Sequence, residues 1–345
     1  MAERPRPPID DAAPSGAISD APSEGLSFAY RFRESGAAET VEAAALAQAL
    51  AEPGGWIWLH LDLANDAARR WVAQAALVPA AGREVLLSHD DHVRLAPVEG
   101  GVAGVFADLL RDKVGEERGL GRLRFVLTER LVVSGRREAL GSIARTLESI
   151  GQGRRFVDAA ALLEVIVEHF ADAATAVAEE LADTLDAIED GLLDEHPGAE
   201  RRKLGPARRT AVRLHRQLSS LRLLFRRWAS PQASALPERL QRAAGQLGQR
   251  LDGLDQEVVA IQERARLLQE EIAARMAADT NRHLFALSLL TTFLLPPTLI
   301  AGVFGMNLPD MPFAQTAEGF WIAIAVSVGS GVVVYLLLRL LRVMR

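Results

Sequence analysis

No cysteine occurs among the 345 residues. Disulfides, thiolate metal sites and cysteine nucleophiles are therefore excluded. The first 25 residues, MAERPRPPIDDAAPSGAISDAPSEG, have no apolar stretch of the kind a secretory signal needs. Rich in Pro, Ala and Asp, residues 1–25 read as a disordered tail. The chain also has no Walker loop, no nucleophile elbow and no placed acid–base pair, so an ATPase or hydrolase lacks its parts. It reads as no enzyme and as a chain without a resident cofactor. A net charge of -6 gives no reason to expect nucleic acid as a partner.

Charge is missing from two further places, both late in the chain. Leu284 to Phe304 carries none over about 21 residues, enough for roughly 30 Å of helix and one bilayer crossing. Phe320 to Leu338 is a second uncharged stretch, of about 19 residues. The loop between them, residues 305–319, holds Asp310 and Glu318 but no Lys or Arg. Arg275, Arg282 and His283 precede the first stretch, and Arg339, Arg342 and Arg345 follow the second. Positive charge marks cytoplasmic flanks, so both termini are expected in the cytoplasm, with residues 339–345 as a basic tail and the acidic loop outside. At 49% hydrophobic and 24% charged, the rest should be soluble.

Upstream, SFAYRFR, GWIWLHLDL, VAGVFADLL and RLRFVLTERLVVSG are short, β-rich and bounded by turn residues, which predicts strands. TVEAAALAQALAE, NDAARRWVAQAAL and AAGREVLLSH between them predict helices. An α/β domain over residues 26–150 follows from this alternation. From Phe156 the pattern is helical. The acidic run EELADTLDAIEDGLLDE and the basic run ERRKLGPARRTAVRLHRQLSSLRLLFRRW predict a helical hairpin within residues 151–237, with complementary surfaces. No proline occurs between Pro237 and Pro296. One long helix over residues 238–304 can therefore run from the cytoplasm into the membrane, approaching roughly 100 Å in length, followed by the loop 305–319 and a second span 320–338. Pro296 and Pro297 deprive the carbonyls of Thr292 and Phe293 of their usual donors, which predicts a local kink.

Steps of four and three along this helix connect Glu270, Ala274, Ala277, Asn281, Leu284, Ser288, Thr291, Leu295, Thr298 and Gly302. Most are small or polar. The opposite face carries Ala286, Leu290, Phe293, Pro297, Ile300 and Phe304, mostly bulky and apolar. A polar stripe opposite a lipid-facing one implies association through the polar side. Back-bonding of Ser and Thr to their own helix would also explain some of these residues. Continuity with Asn281 below and Asn307 above favours a conduit, which one helix cannot enclose, so several copies are implied.

The tripeptide Gly305-Met306-Asn307 follows directly on NRHLFALSLLTTFLLPPTLIAGVF, and a short acidic loop, a second span and a basic tail come next. Together these resemble the CorA superfamily of divalent-cation transport proteins. GWIWLHLDL, LLSHDDHVRLAPVEGGVAGVF and AEGFWIAI look more like its ZntB-like zinc-transport branch than its magnesium channels. Pro297 and the Pro309-Asp310 step depart from the pattern. The resemblance implies a homopentamer with a funnel-shaped cytoplasmic domain in a bacterial inner (cell) membrane. It also implies a pore lined by Asn281, Leu284, Ser288, Leu295 and Thr298, with Asn307 at the outer mouth. Zinc, magnesium, cobalt or nickel would be the cargo. A neutral amide ring suits a cation that keeps its waters, because full carboxylates could hold it too tightly to release. The stripe has neither Cys nor His, the ligands zinc prefers, so coordination chemistry does not choose among these metals, and no metal-ligand set is assigned.

Two clusters look metal-capable without converging on an ion. His89, Asp90, Asp91 and His92 are consecutive and read as a charged helix-to-strand connection. His169 and Asp172, three apart on a charged helix, read as a solvated face. Two functions of different class remain: cation transport through a homo-oligomeric pore, zinc-preferring or of the magnesium/cobalt type, and a two-span receptor or scaffold. An anchor needs no polar stripe, which favours transport.

Overall fold

A computed structural model describes residues 24–110, 119–193, 197–230, 238–306 and 318–341. The strands are β1 (Leu26–Phe32), β2 (Ala38–Thr40), β3 (Trp56–Asp62), β4 (Arg94–Val98), β5 (Gly101–Leu109), β6 (Leu120–Thr128) and β7 (Leu131–Arg136). Helices α1 (Leu46–Ala51), α2 (Asp66–Gln74) and α3 (Ala80–Leu87) lie among them. Then come α4 (Gly141–Gly151), α5 (Ala159–Leu193), α6 (Pro197–Trp228), α7 (Glu238–Phe304) and α8 (Gly319–Leu340). This is the α/β domain followed by long helices and two apolar C-terminal helices that the sequence implied.

One seven-stranded sheet runs in the order β2-β1-β3-β7-β6-β5-β4. Its single parallel pair is β3 with β7, Ile57 opposite Leu131. The run GWIWLHLDL does not alternate because both faces of β3 are covered. Ile57, Leu59 and Leu61 join Trp71 and Val72 of α2 and Val85 and Leu86 of α3 in one core. On the other face Trp56 stacks on Phe32 at 4.1 Å, and His60 stacks on Phe28 at 4.9 Å. Burial, and then the charge of Arg136, push the His60 pKa down to about 3, so the ring is neutral. The chain enters β3 through Gly55 at φ 75°, where an added Cβ would lie 2.1 Å from the Phe32 carbonyl oxygen, so a side chain is excluded there.

Asp108, buried at the end of β5, organises the step from sheet to helix. Its carboxylate accepts the Ser142 amide at 3.2 Å and the Ser142 hydroxyl at 2.5 Å, capping the first turn of α4 from another element.

Helix α5 is buried nearly all round in its first turns, and from Phe170 onward it buries mainly one side, as α6 and α7 do along stripes with steps of three and four. In α6 the stripe runs Leu204, Ala207, Ala211, Leu214, Leu218, Leu221, Phe225 and Trp228; in α7, Leu247, Leu251, Leu254, Val258, Ile261 and Ala265. This is the spacing of packed helix bundles. Charge follows the same arrangement. On α7, Arg250 pairs with Asp172 of α5, and Arg264 with Asp186 and Glu189. Two of its acids, Asp252 and Asp255, pair with Arg222, Arg226 and His215 of α6. The complementarity expected between acidic α5 and basic α6 is thus shared with α7, which presents arginines to one and aspartates to the other.

The chain divides into two compact units. One holds the chain up to Asp190 and Arg202–Arg266, and the other holds Gly191–Arg201 and Leu267–Arg345. The division falls inside α7, which is helical without interruption over 67 residues, Pro296 and Pro297 included.

Candidate ion pathway

Every stripe residue from Glu270 to Gly302 lies on α7, within the second unit. From Leu284 to Phe304 this helix has no charged side chain, and no such residue occurs between Gly319 and Leu338 of α8. Both are long and apolar enough to cross a membrane. The threonines bond to their own helix: Thr291 Oγ1 donates to the Leu287 carbonyl at 2.9 Å and Thr298 Oγ1 to that of Leu294 at 2.7 Å. Thr292, one position off the stripe, does the same to Ser288 at 2.8 Å. Back-bonding and a polar face are therefore not alternatives. A hydroxyl whose proton is committed to the helix presents only lone pairs outward. Thr291 and Thr298 offer acceptors, which suits cations and their water shells and disfavours anions.

The opposite face of α7 is partly covered. Leu289, Phe293, Pro296, Pro297, Ile300 and Phe304 are half-buried, whereas Leu284, Ser288, Thr291, Leu295 and Thr298 are exposed. Helix α8 has a matching half-buried row in Ala323, Ser327, Ser330, Gly331, Val334 and Leu338. Both rows are made of small or apolar residues. At about 100° per residue, the covered face of α7 is centred roughly 160° from the polar stripe. The stripe itself is exposed.

Gly305 and Met306 continue from α7, with the Gly305 amide donating to the Ala301 carbonyl at 2.9 Å. Asn307 and Asp310 lie outside the described residues, as do Arg342 and Arg345. Glu318 is exposed at the N-cap of α8 and makes no side-chain cap bond.

The histidine clusters resolve into structural contacts. Residues 88–93 connect α3 to β4 and are pinned by arginines. Arg124, fully buried, holds the Asp91 carboxylate at 2.5 Å and the Ser88 carbonyl at 3.1 Å, while Asp90 pairs with Arg94. His169 is not on a solvated face. It packs on α4, its Nδ1 3.0 Å from Thr146 Oγ1, and burial followed by the charge of Arg154 lowers its pKa. A further Ser, His and Asp meet where α6 packs on α7. Ser219 and Asp255 both address Nδ1 of His215, at 3.4 and 2.7 Å, so the ring cannot relay a proton between them as a catalytic triad would. Among the described residues, no three His, Asp or Glu side chains cluster to hold a metal.

The sequence matches the profile of the CorA-like Mg2+ transporter protein over residues 53–340, across sheet domain, bundle and both apolar helices. The chain belongs to the CorA-like Mg2+ transporter family. The zinc transport protein ZntB of Pectobacterium carotovorum is 27% identical over 268 residues, covering 76% of this chain and 80% of that protein. The divalent cation transporter CmaX of Pseudomonas aeruginosa is 27% identical over 269 residues, covering 77% and 81%. The solved full-length CmaX structure superposes with a TM-score of 0.77 at 25% identity, over 92% of this chain and 98% of that one. The CorA magnesium transporter of Methanocaldococcus jannaschii gives 0.73 at 17% identity, over 90% and 97%, which establishes the shared fold. The match runs from just before β3 to the end of α8, so β1, β2 and α1 precede it.

Proposed function

We propose that this chain carries divalent metal cations across a membrane, along a path lined by Asn281, Leu284, Ser288, Thr291, Leu295, Thr298 and Gly302, with Gly305, Met306 and Asn307 at its outer mouth. The observation that carries the reading is the uncharged stripe along α7, whose threonines turn their acceptors outward. A single helix cannot enclose water, so the stripe calls for several copies around an axis, a homopentamer by resemblance. Positive-inside flanks put both termini in the cytoplasm and Asp310 and Glu318 outside, and the relatives' names suit a bacterial inner membrane. Zinc is the preferred cargo, because ZntB relatives match over most of their length. A magnesium or cobalt path is the second reading, favoured by a stripe of oxygen donors without imidazole.

Purified protein in liposomes tests this by zinc and magnesium uptake, each with and without an imposed pH gradient. Metal-selective uptake is expected, reduced at least tenfold by Asn307→Ala in a variant that still assembles. A two-span receptor or scaffold would give no uptake at all. Full uptake in assembled Asn307→Ala would remove the amide from the path.

A further inference from the structure

Three arginines converge on the connection between α3 and β4. Arg124 Nε and Arg137 Nη2 donate to the same Ser88 carbonyl, at 3.1 and 3.2 Å, and Arg122 Nε donates to the Asp91 carbonyl at 2.7 Å. A carbonyl at the end of a helix attracts a cation, but two guanidinium groups on one oxygen also repel each other. The nearby carboxylates do not relieve this. Asp66 pairs with Arg69, Asp90 with Arg94 and Asp91 with Arg124, and Asp62 accepts the Ala64 amide. Among the described residues, Arg122 and Arg137 pair with no carboxylate. Arg122 bonds to the Gly121 and Asp91 carbonyls, and Arg137 to that of Ser88. Burial comes first in lowering the pKa of both; Arg124 adds to it and Asp91 opposes it, and Arg69 also bears on Arg137. A guanidinium nevertheless keeps its proton, so two positive charges stay uncompensated.

Their place in the sheet points the same way. β3 and β7 are parallel neighbours, and the chain leaves them toward opposite faces. After β3, α2 and α3 pack on the face of Leu59, Leu61 and Val105. After β7, α4 meets Asp108, which lies on the other face from Val105 by the period of two. Open α/β sheets bind ligands beyond the carboxyl ends of strands that part in this way. Arg124 lies opposite Gly135 near the end of β7, and Arg137 follows that strand. Arg69, donating to the Leu63 carbonyl at 3.4 Å, stands at the end of β3.

We infer that this end of the sheet is a binding site for a doubly charged oxyanion, a phosphate group above all, held by Arg122 and Arg137 together with the buried Arg124. Forked guanidinium donors match phosphate oxygens, and a dianion balances the two uncompensated charges. The Asp91 side chain, 60% exposed, already holds one donor of Arg124 and competes with the ligand from within the chain. The arginines all belong to the first compact unit, and the site does not depend on the transport reading.

Titration of full-length protein in detergent with inorganic phosphate, against chloride at equal ionic strength, tests it by calorimetry and thermal unfolding. Saturable phosphate binding with a higher melting midpoint is expected, and chloride should give neither. Arg122→Gln and Arg137→Gln should each weaken phosphate binding by about tenfold, the loss of one charge-assisted fork. Arg130→Gln, at the other end of the β6–β7 hairpin, should leave it unchanged. Asp91→Asn should tighten it several-fold while lowering the midpoint of the phosphate-free protein, an opposition that a merely structural pairing would not produce. No phosphate binding, an equal response to chloride, an equal loss in Arg130→Gln, or full affinity in both other arginine variants overturns the inference. Where those variants do not fold, Asp91→Asn decides, and phosphate binding that is unchanged or weaker there overturns it too.

Discussion

Asp108 is a carboxyl buried on β5 and bonded to the first turn of α4. Burial, outweighing the bonds from Ser142 and Leu109 and the charge of Arg145, pushes its pKa up from 3.8 to about 7. Between those values the folded chain keeps a proton that the unfolded chain has lost. Its contribution to stability is therefore full below about pH 4 and falls as pH rises toward 7, by at most about 1.4 kcal/mol per pH unit. Asp108→Asn removes that titration. Melting curves of wild type and variant at pH 5 and pH 8 should show the wild type's relative stability declining; parallel shifts would mean Asp108 is ionised throughout. Single residues were unevenly legible in the sequence. The polar stripe could be read from spacing, since it needs only one helix. Asp108 could not, because its partner Ser142 is 34 residues away, and neither could the loss of His169 to α4.

Elements whose pattern is local were the easier ones. β1, β3, β5, β6 and β7 match β-rich runs, but β4 escaped as RLAPV, an edge strand that contains Pro97 and follows a run of charge. The parallel β3–β7 pairing joins residues some 75 positions apart, which no local pattern records. Heptad spacing in α6 and α7 was available in the sequence and would have announced the bundle. Within it the two kinds of ion pair differ in depth. Arg264 is 36% exposed and its links to Asp186 and Glu189 are water-screened, so Arg264→Ala should cost about 1 kcal/mol or less. Asp255 is 4% exposed and serves His215, Ser219 and Arg222 together. Asp255→Ala leaves Arg222 with Asp252 alone and His215 without its carboxylate, and should cost about 1–3 kcal/mol. Urea unfolding of both variants in detergent checks the order; equal losses would show that the Asp255 network is as wet as the surface pairs.

For the molecule as a whole, the outcome turns on which side of α7 meets water. Leu284 and Leu295 on the stripe and Leu290 off it are similarly exposed, at 56%, 60% and 57%, so exposure in one chain does not choose the face. A charge would. Leu295→Asp should wet an apolar constriction and leak ions, because a ring of carboxylates cannot dewet. Leu290→Asp should instead hinder insertion or assembly. Ion leak through liposomes together with size-exclusion profiles separates the two, and the reverse pattern would rotate the assigned face. Because α7 passes from one compact unit to the other with no loop, it also carries phase. One residue inserted near Ala273 would turn everything beyond it, α8 included, by about 100°, and on the proposed reading the polar stripe would leave the path shared by the copies. Seven inserted residues would bring the stripe back to within about 20°. Tolerance to length change in this chain is therefore periodic, and the clock that sets the period is the helix itself.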